Sequence, residues 1–242
     1  MPDSSRQLVI RFQELTAVPD WVWDRIDLEF LCLSDNKLTV VPENIGRLSS
    51  LRALDLAHNA LRTIPNVIGD LPRLSDYLYL ADNQLTQFPA AITRLARLRY
   101  LGITHNRIQE LPESIDALAS LVEFRAYNNQ LATLPESMGA LANLRELHLS
   151  NNTLTELPAS IGRLSELRIL DLRNNNIEAL PASIGELHNL LYLDLRANAL
   201  TTLPGAIGEL PRLQKLDLRW THLDGTPPCV YRLERRGCVV LR

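Results

Sequence analysis

Three residues of this 242-residue chain with side chains suited to hold a metal fall at matching positions, each just before an asparagine: His58, Asp82 and His105, spaced 24 and 23 residues apart. Two imidazoles and a carboxylate suit a divalent cation only if the chain brings them together. If each stands on its own strand, spacing of about 4.8 Å per strand leaves the outer two about 10 Å apart at the backbone. No fourth ligand is evident, and no metal site is assigned. His148, His188 and His222 stand isolated along the chain. There is no glycine-rich phosphate loop and no HExxH, GxSxG or CxxC stretch. Ser114, Ser137, Ser160 and Ser183 fall where they suit the start of a short helix rather than beside a base. Neither catalysis nor a cofactor is expected.

The elements that would position such residues are set by a repeat. Ten of the fourteen prolines, from Pro19 to Pro227, recur every 23 residues with one interval of 24. A fixed period of this length marks a solenoid, in which each unit packs only on its neighbours and the array presents one long concave face. Within a unit the LxLxx segment alternates, as at Leu170 and Leu172, which predicts a short half-buried strand and one parallel sheet. A column of asparagines follows (Asn36, Asn59, Asn83, Asn106, Asn129, Asn152, Asn175, Asn198). Each can satisfy backbone groups with both donor and acceptor where the chain turns inside the core. The proline then turns the chain onto the convex side, where stretches such as ASIGEL predict a helical or 3-10 turn. Six glycines share one convex position that Thr93 and Asp116 fill in other units, so a packing need rather than positive φ is expected there.

The unit LRILDLRNNNIEALPASIGEL, Leu167 to Leu187, resembles the leucine-rich repeat family in its 23-residue LPxxIGxL class, as in Ras-group and Scribble-like intracellular repeats and bacterial secreted effectors. The resemblance covers nearly the whole chain. It implies an α/β fold, a right-handed horseshoe with a parallel concave β-sheet and short helical or 3-10 turns outside. We expect one domain over 1–242, with a cap unit at about 1–27, regular repeats over about 28–212 and a second cap at about 213–242. Gln13 and Thr221 replace asparagine in the end units, and an eleventh strand near Cys238 to Leu241 is expected to close the array. Trp21, Trp23 and Trp220 are expected to cover the exposed ends of the core.

In that frame five of the six tyrosines face outward from the concave sheet. Tyr77, Tyr79, Tyr100 and Tyr127 crowd three successive units, and Tyr192 follows. A leucine core has no need of tyrosine, whereas an outward tyrosine offers large contact area at low entropic cost. The rival reading is that these rings pair across neighbouring strands. Arg125 and His148 share the face, and Asp171, Arg173, Asp194 and Arg196 form paired charge columns beside it. These residues are the expected partner-binding set. Three residues separate Leu74 from Leu78 where other units have two, so a bulge is expected at the Tyr77 strand.

Net charge is −3 and the basic residues are scattered in sequence, which argues against nucleic acid. No export signal or apolar run of membrane-spanning length is present, so cytoplasmic residence, or delivery into a host cell by an effector, is expected. Cys32, Cys229 and Cys238 fit a reducing compartment, with a Cys229–Cys238 bond the less favoured alternative. The resulting expectation is a monomeric protein-binding module acting as adaptor, regulator or effector. Its rivals are the recognition part of an effector ligase and a carbohydrate platform.

Overall fold

In the computed structural model, which describes residues 4–242, every unit contributes one three-residue strand. They are β1 Gln7–Val9, β2 Phe30–Cys32, β3 Ala53–Asp55, β4 Tyr77–Tyr79, β5 Tyr100–Gly102, β6 Glu123–Arg125, β7 Glu146–His148, β8 Ile169–Asp171, β9 Tyr192–Asp194, β10 Lys215–Asp217 and β11 Val239–Leu241. All eleven pair in parallel and in sequence order, forming one open curved sheet. Register advances one unit per strand, so Leu147 lies beside Leu170 and Leu170 beside Leu193. The central residue of each strand from β2 to β10, a leucine or Phe124 in β6, points inward and is buried among the leucines and isoleucines of the convex side, while Leu8 in β1 and Val240 in β11 are partly buried against its ends.

The asparagine column joins one coil to the next. Asn152 Nδ2 reaches the carbonyls of Ala126, Leu149 and Ser150, while its Oδ1 accepts the amide of Leu131. The same set recurs at Asn59, Asn83, Asn106, Asn129, Asn175 and Asn198. At the ends the ladder is thinner: Thr221 donates only to the Leu218 carbonyl, and Gln13 Nε2 only to that of Arg11.

Immediately before this column runs one that the sequence did not announce. Phe12, Asp35, His58, Asp82, His105, Asn128, Asn151, Asn174, Ala197 and Trp220 all adopt left-handed backbone, with φ between 50 and 59°. L residues with a Cβ rarely take this region, and Asn and Asp tolerate it best. The turn that delivers each asparagine into the core imposes it.

On the convex side each proline from Pro19 to Pro204 precedes a five-residue 3-10 turn, such as Ala159–Arg163 or Ala182–Glu186. No serine side chain caps these turns, contrary to the expectation from Ser137 and Ser183, whose hydroxyls are buried without a partner. The shared glycines keep negative φ, and their role is steric: a Cβ on Gly139 would lie 2.4 Å from the Ser160 carbonyl oxygen of the next coil.

The ends depart from expectation in two ways. Only Trp23 covers the core; Trp21 and Trp220 are exposed by 52% and 72%, because both point away from the leucine stack. At the other end an α-helix, α1 Pro228–Arg235, replaces the 3-10 turn and buries Cys229, Val230 and Leu233 over the last coil. All three cysteines are free and buried.

Asn152→Ala should strand three carbonyls and an amide in the interior and cost about 3 kcal/mol or more, read by chemical denaturation. Ala197→Asn, which places a tolerant residue at a left-handed position, should instead raise the melting temperature through a gain of about 0.5–1 kcal/mol.

Candidate functional site

Because side chains alternate across each short strand, the first and third residues of every strand project from the concave face, and the register stacks them into columns. Curvature crowds these columns. Several outward residues, among them Cys32, Ala53, Gly102, Ser34, Thr104, Ser150 and Asp217, are buried although they do not face the core. The side chains that rise clear are the long ones.

Tyr77 and Tyr79 lie on one strand with rings stacked at 4.5 Å, and Phe30 meets Tyr77 edge-on at 6.1 Å. Tyr79 leans over Gly102, whose lack of a side chain leaves room for the ring. Burial, reinforced by Asp55, pushes the Tyr77 phenol up to about 12, and burial also raises that of Tyr79. Tyr100 is half-buried with the Arg99 guanidinium over its ring, and Tyr127 packs edge-on against His105 at 5.4 Å. Tyr79, Tyr127 and Arg125 line one hollow of about 260 Å³ together with Asp55 and Thr104. Tyr192 stands two coils from His148 and is 42% exposed. With Ile169, Asp171 and Asp194 it lines a second hollow of about 200 Å³. Tyr77 and Phe30 line a third hollow of about 390 Å³ with Arg52 and Asp76.

The extra residue near Tyr77 does not bulge its strand. The Ser75 and Asp76 amides both donate to the Arg52 carbonyl, so the insertion is taken up before the strand begins, and Tyr77 and Tyr79 keep register with Ala53 and Asp55.

The charge columns spend most of their valence on the sheet itself. Asp55, Asp171, Asp194 and Asp217 each accept the backbone amide two residues on. Arg196 clamps Asp194 at 2.7 Å, Arg219 clamps Asp217 at 2.7 Å, and Arg173 lies 3.6 Å from Asp171. Burial alone would raise the Asp217 carboxyl, but hydrogen bonds from Arg219 outweigh it and hold it below its ordinary range. In the middle of the arc Glu123 and Glu146 face one another in register. His148, isolated in sequence, reaches Glu146 at 3.2 Å, and Arg125 pairs with Glu123. One ligand atom from each of Glu123, Glu146 and His148 falls within 4.8 Å of the others, the nearest approach to a metal-binding set among the described residues. His58 and His105 approach Asp82 from either side at 3.5 and 3.8 Å, each on its own carboxylate oxygen. Among the described residues no helix is long and apolar enough to cross a membrane.

Comparison with known proteins agrees with this architecture. No curated protein matches the sequence at a significant level. A solved structure of PEPR1 with AtPEP1 is similar at 29% identity and TM-score 0.83, covering 99% of this chain and 35% of that one. A TDR receptor is also 29% identical, with TM-score 0.80 over 88% of this chain and 39% of its own. This chain therefore spans little more than a third of either. An internalin from Listeria monocytogenes shares the fold at 17% identity and TM-score 0.61, covering 98% and 86%. Residues 26–85 and 165–223 match the leucine-rich repeat family and residues 142–185 match its two-copy form; the chain belongs to the leucine-rich repeat family.

Proposed function

We propose that this protein is a protein-binding module that grips a peptide or protein segment along its concave face, with Tyr79 and Tyr192 as the principal anchors. The observation that carries this reading is the exposure of those two rings, 39% and 42%, on a sheet whose core is complete without them. Each stands at a hollow able to take one side chain of a partner. Large amphipathic rings at the centre of a face that otherwise satisfies its own charges are where binding energy concentrates. Tyr77 supports Tyr79 by stacking, and Tyr127, Arg125 and His148 complete the walls. The Asp171–Arg173 and Asp194–Arg196 pairs orient a partner and speed encounter more than they add affinity. The similarity to the structure of PEPR1 with AtPEP1, at 29% identity, supports a protein-binding reading.

Adaptor, regulator or effector remain the roles that fit a module of this kind, and the reading assigns no catalytic residue. Three free, buried thiols fit a reducing compartment such as the cytoplasm.

Peptides selected on the protein from a random display library should bind the double variant Tyr79→Ala, Tyr192→Ala roughly thirtyfold more weakly, about 2 kcal/mol, with little change in melting temperature. Undiminished binding would refute the anchors. A spectrophotometric alkaline titration should show a phenol ionising near 12 that disappears in Tyr77→Phe. Because the fold raises this value above the ordinary 10 or so, the stability it contributes should be complete below about pH 10 and lost as pH rises through the folded value.

A further inference from the structure

Next to the concave columns, one residue before each strand, runs a row in which Arg99, Val122, Arg145 and Arg168 occupy successive rungs, linked by amide-to-carbonyl bonds of 2.8 Å. Earlier in the same row the charges cancel: Arg6 pairs with Glu29 at 2.7 Å and Arg52 with Asp76 at 3.1 Å. From Arg99 onward the acids stop. Arg97, Arg99, Arg145 and Arg168 are exposed, and among the described residues none has a carboxylate within ion-pair distance. The nearest acids in the adjoining column, Glu123 and Glu146, are already engaged by Arg125 and His148. Arg97, Arg99, Ser120, Val122, Asn143 and Arg145 together line a cleft of about 390 Å³. In a chain of net charge −3 this is an uncompensated cationic strip.

We infer that this cleft binds an extended acidic segment of a protein partner, with carboxylates about three residues apart and an apolar side chain between them. The spacing selects that occupant. Arg99 and Arg145 are two rungs apart, about 10 Å, which is one three-residue turn of a polyproline-II chain at about 3.1 Å per residue, so that every third side chain returns to the same face. Val122 lies between them as an apolar floor, and Arg168 continues the strip by another rung. Guanidinium groups spread along a line suit a series of carboxylates, each able to take a two-pronged hydrogen bond, better than they suit one phosphate. The cleft lies along the edge of the concave face, so the inference builds on the protein-binding reading: it says which chemistry the partner carries beside the residues that meet Tyr79 and Tyr192.

The test is fluorescence anisotropy with a labelled nine-residue peptide carrying glutamate at every third position and valine between. The same peptide with lysine for glutamate, inorganic phosphate and a single-stranded oligonucleotide serve as comparison probes. The expected result is binding that weakens with added salt and falls about tenfold in Arg99→Gln, Arg145→Gln. It should persist in Arg62→Gln, Arg107→Gln, which removes equal charge on the opposite edge, and the lysine peptide and phosphate should not compete. Equal binding by both arginine pairs would overturn the site, and tighter, arginine-dependent binding of the oligonucleotide would overturn the protein occupant. Tyr79→Ala, Tyr192→Ala should retain the acidic peptide, so failure of the cleft and failure of the tyrosine anchors are read separately.

Discussion

The asparagine that each coil buries is the interaction on which the rest depends. A chain that winds through its own core must turn there, and a turn strips backbone amides and carbonyls of their partners, at about 1–3 kcal/mol for each group left unmade. One carboxamide answers four of those groups, three carbonyls and one amide, and two of the four belong to the preceding coil. Stacking is therefore built into the same contact that permits turning. The left-handed residue before it is the cost, accepted at ten successive positions because each bend is over-determined by the ladder beside it.

A ladder of that regularity makes the concave face a set of straight columns, and the columns explain which residues remain available. Aspartates beside the ladder cap the amides two residues on, and arginines neutralise them, so a face that looks highly charged in sequence is largely self-satisfied. Small residues sink between their neighbours as the sheet curves. What rises above this self-satisfied surface is a set of tyrosine-bearing hollows on the sheet and a strip of unmatched arginine along its edge. Both lie within a few rungs of one another, so one extended partner can meet apolar and cationic chemistry together.

The solenoid was legible from spacing because the physics that fixes it is local and repeated: proline at Pro158 and Pro181, asparagine at Asn152 and Asn175, leucine at Leu147 and Leu170 recur with one period. Deviations from that period are less legible, because they are settled by contacts outside the repeating unit. The extra residue before Tyr77 predicts a bulge, yet backbone hydrogen bonds to the Arg52 carbonyl absorb it ahead of the strand. Composition alone makes Trp220 a lid, yet it occupies the left-handed rung, whose side chain leaves the core.

By itself the sequence determined the coil, its rung-by-rung register and which residues look outward, since alternation, turning and burial are decided within one unit and its neighbour. Only the tertiary structure decided which outward groups are free. That His148 meets Glu146 on its own strand while Glu123 takes Arg125, and that Arg97, Arg99 and Arg145 face no acid, depends on side-chain reach and on the curvature that crowds one column against the next. A period fixes where each Cβ stands, whereas charge pairing is settled by the last few ångströms beyond it.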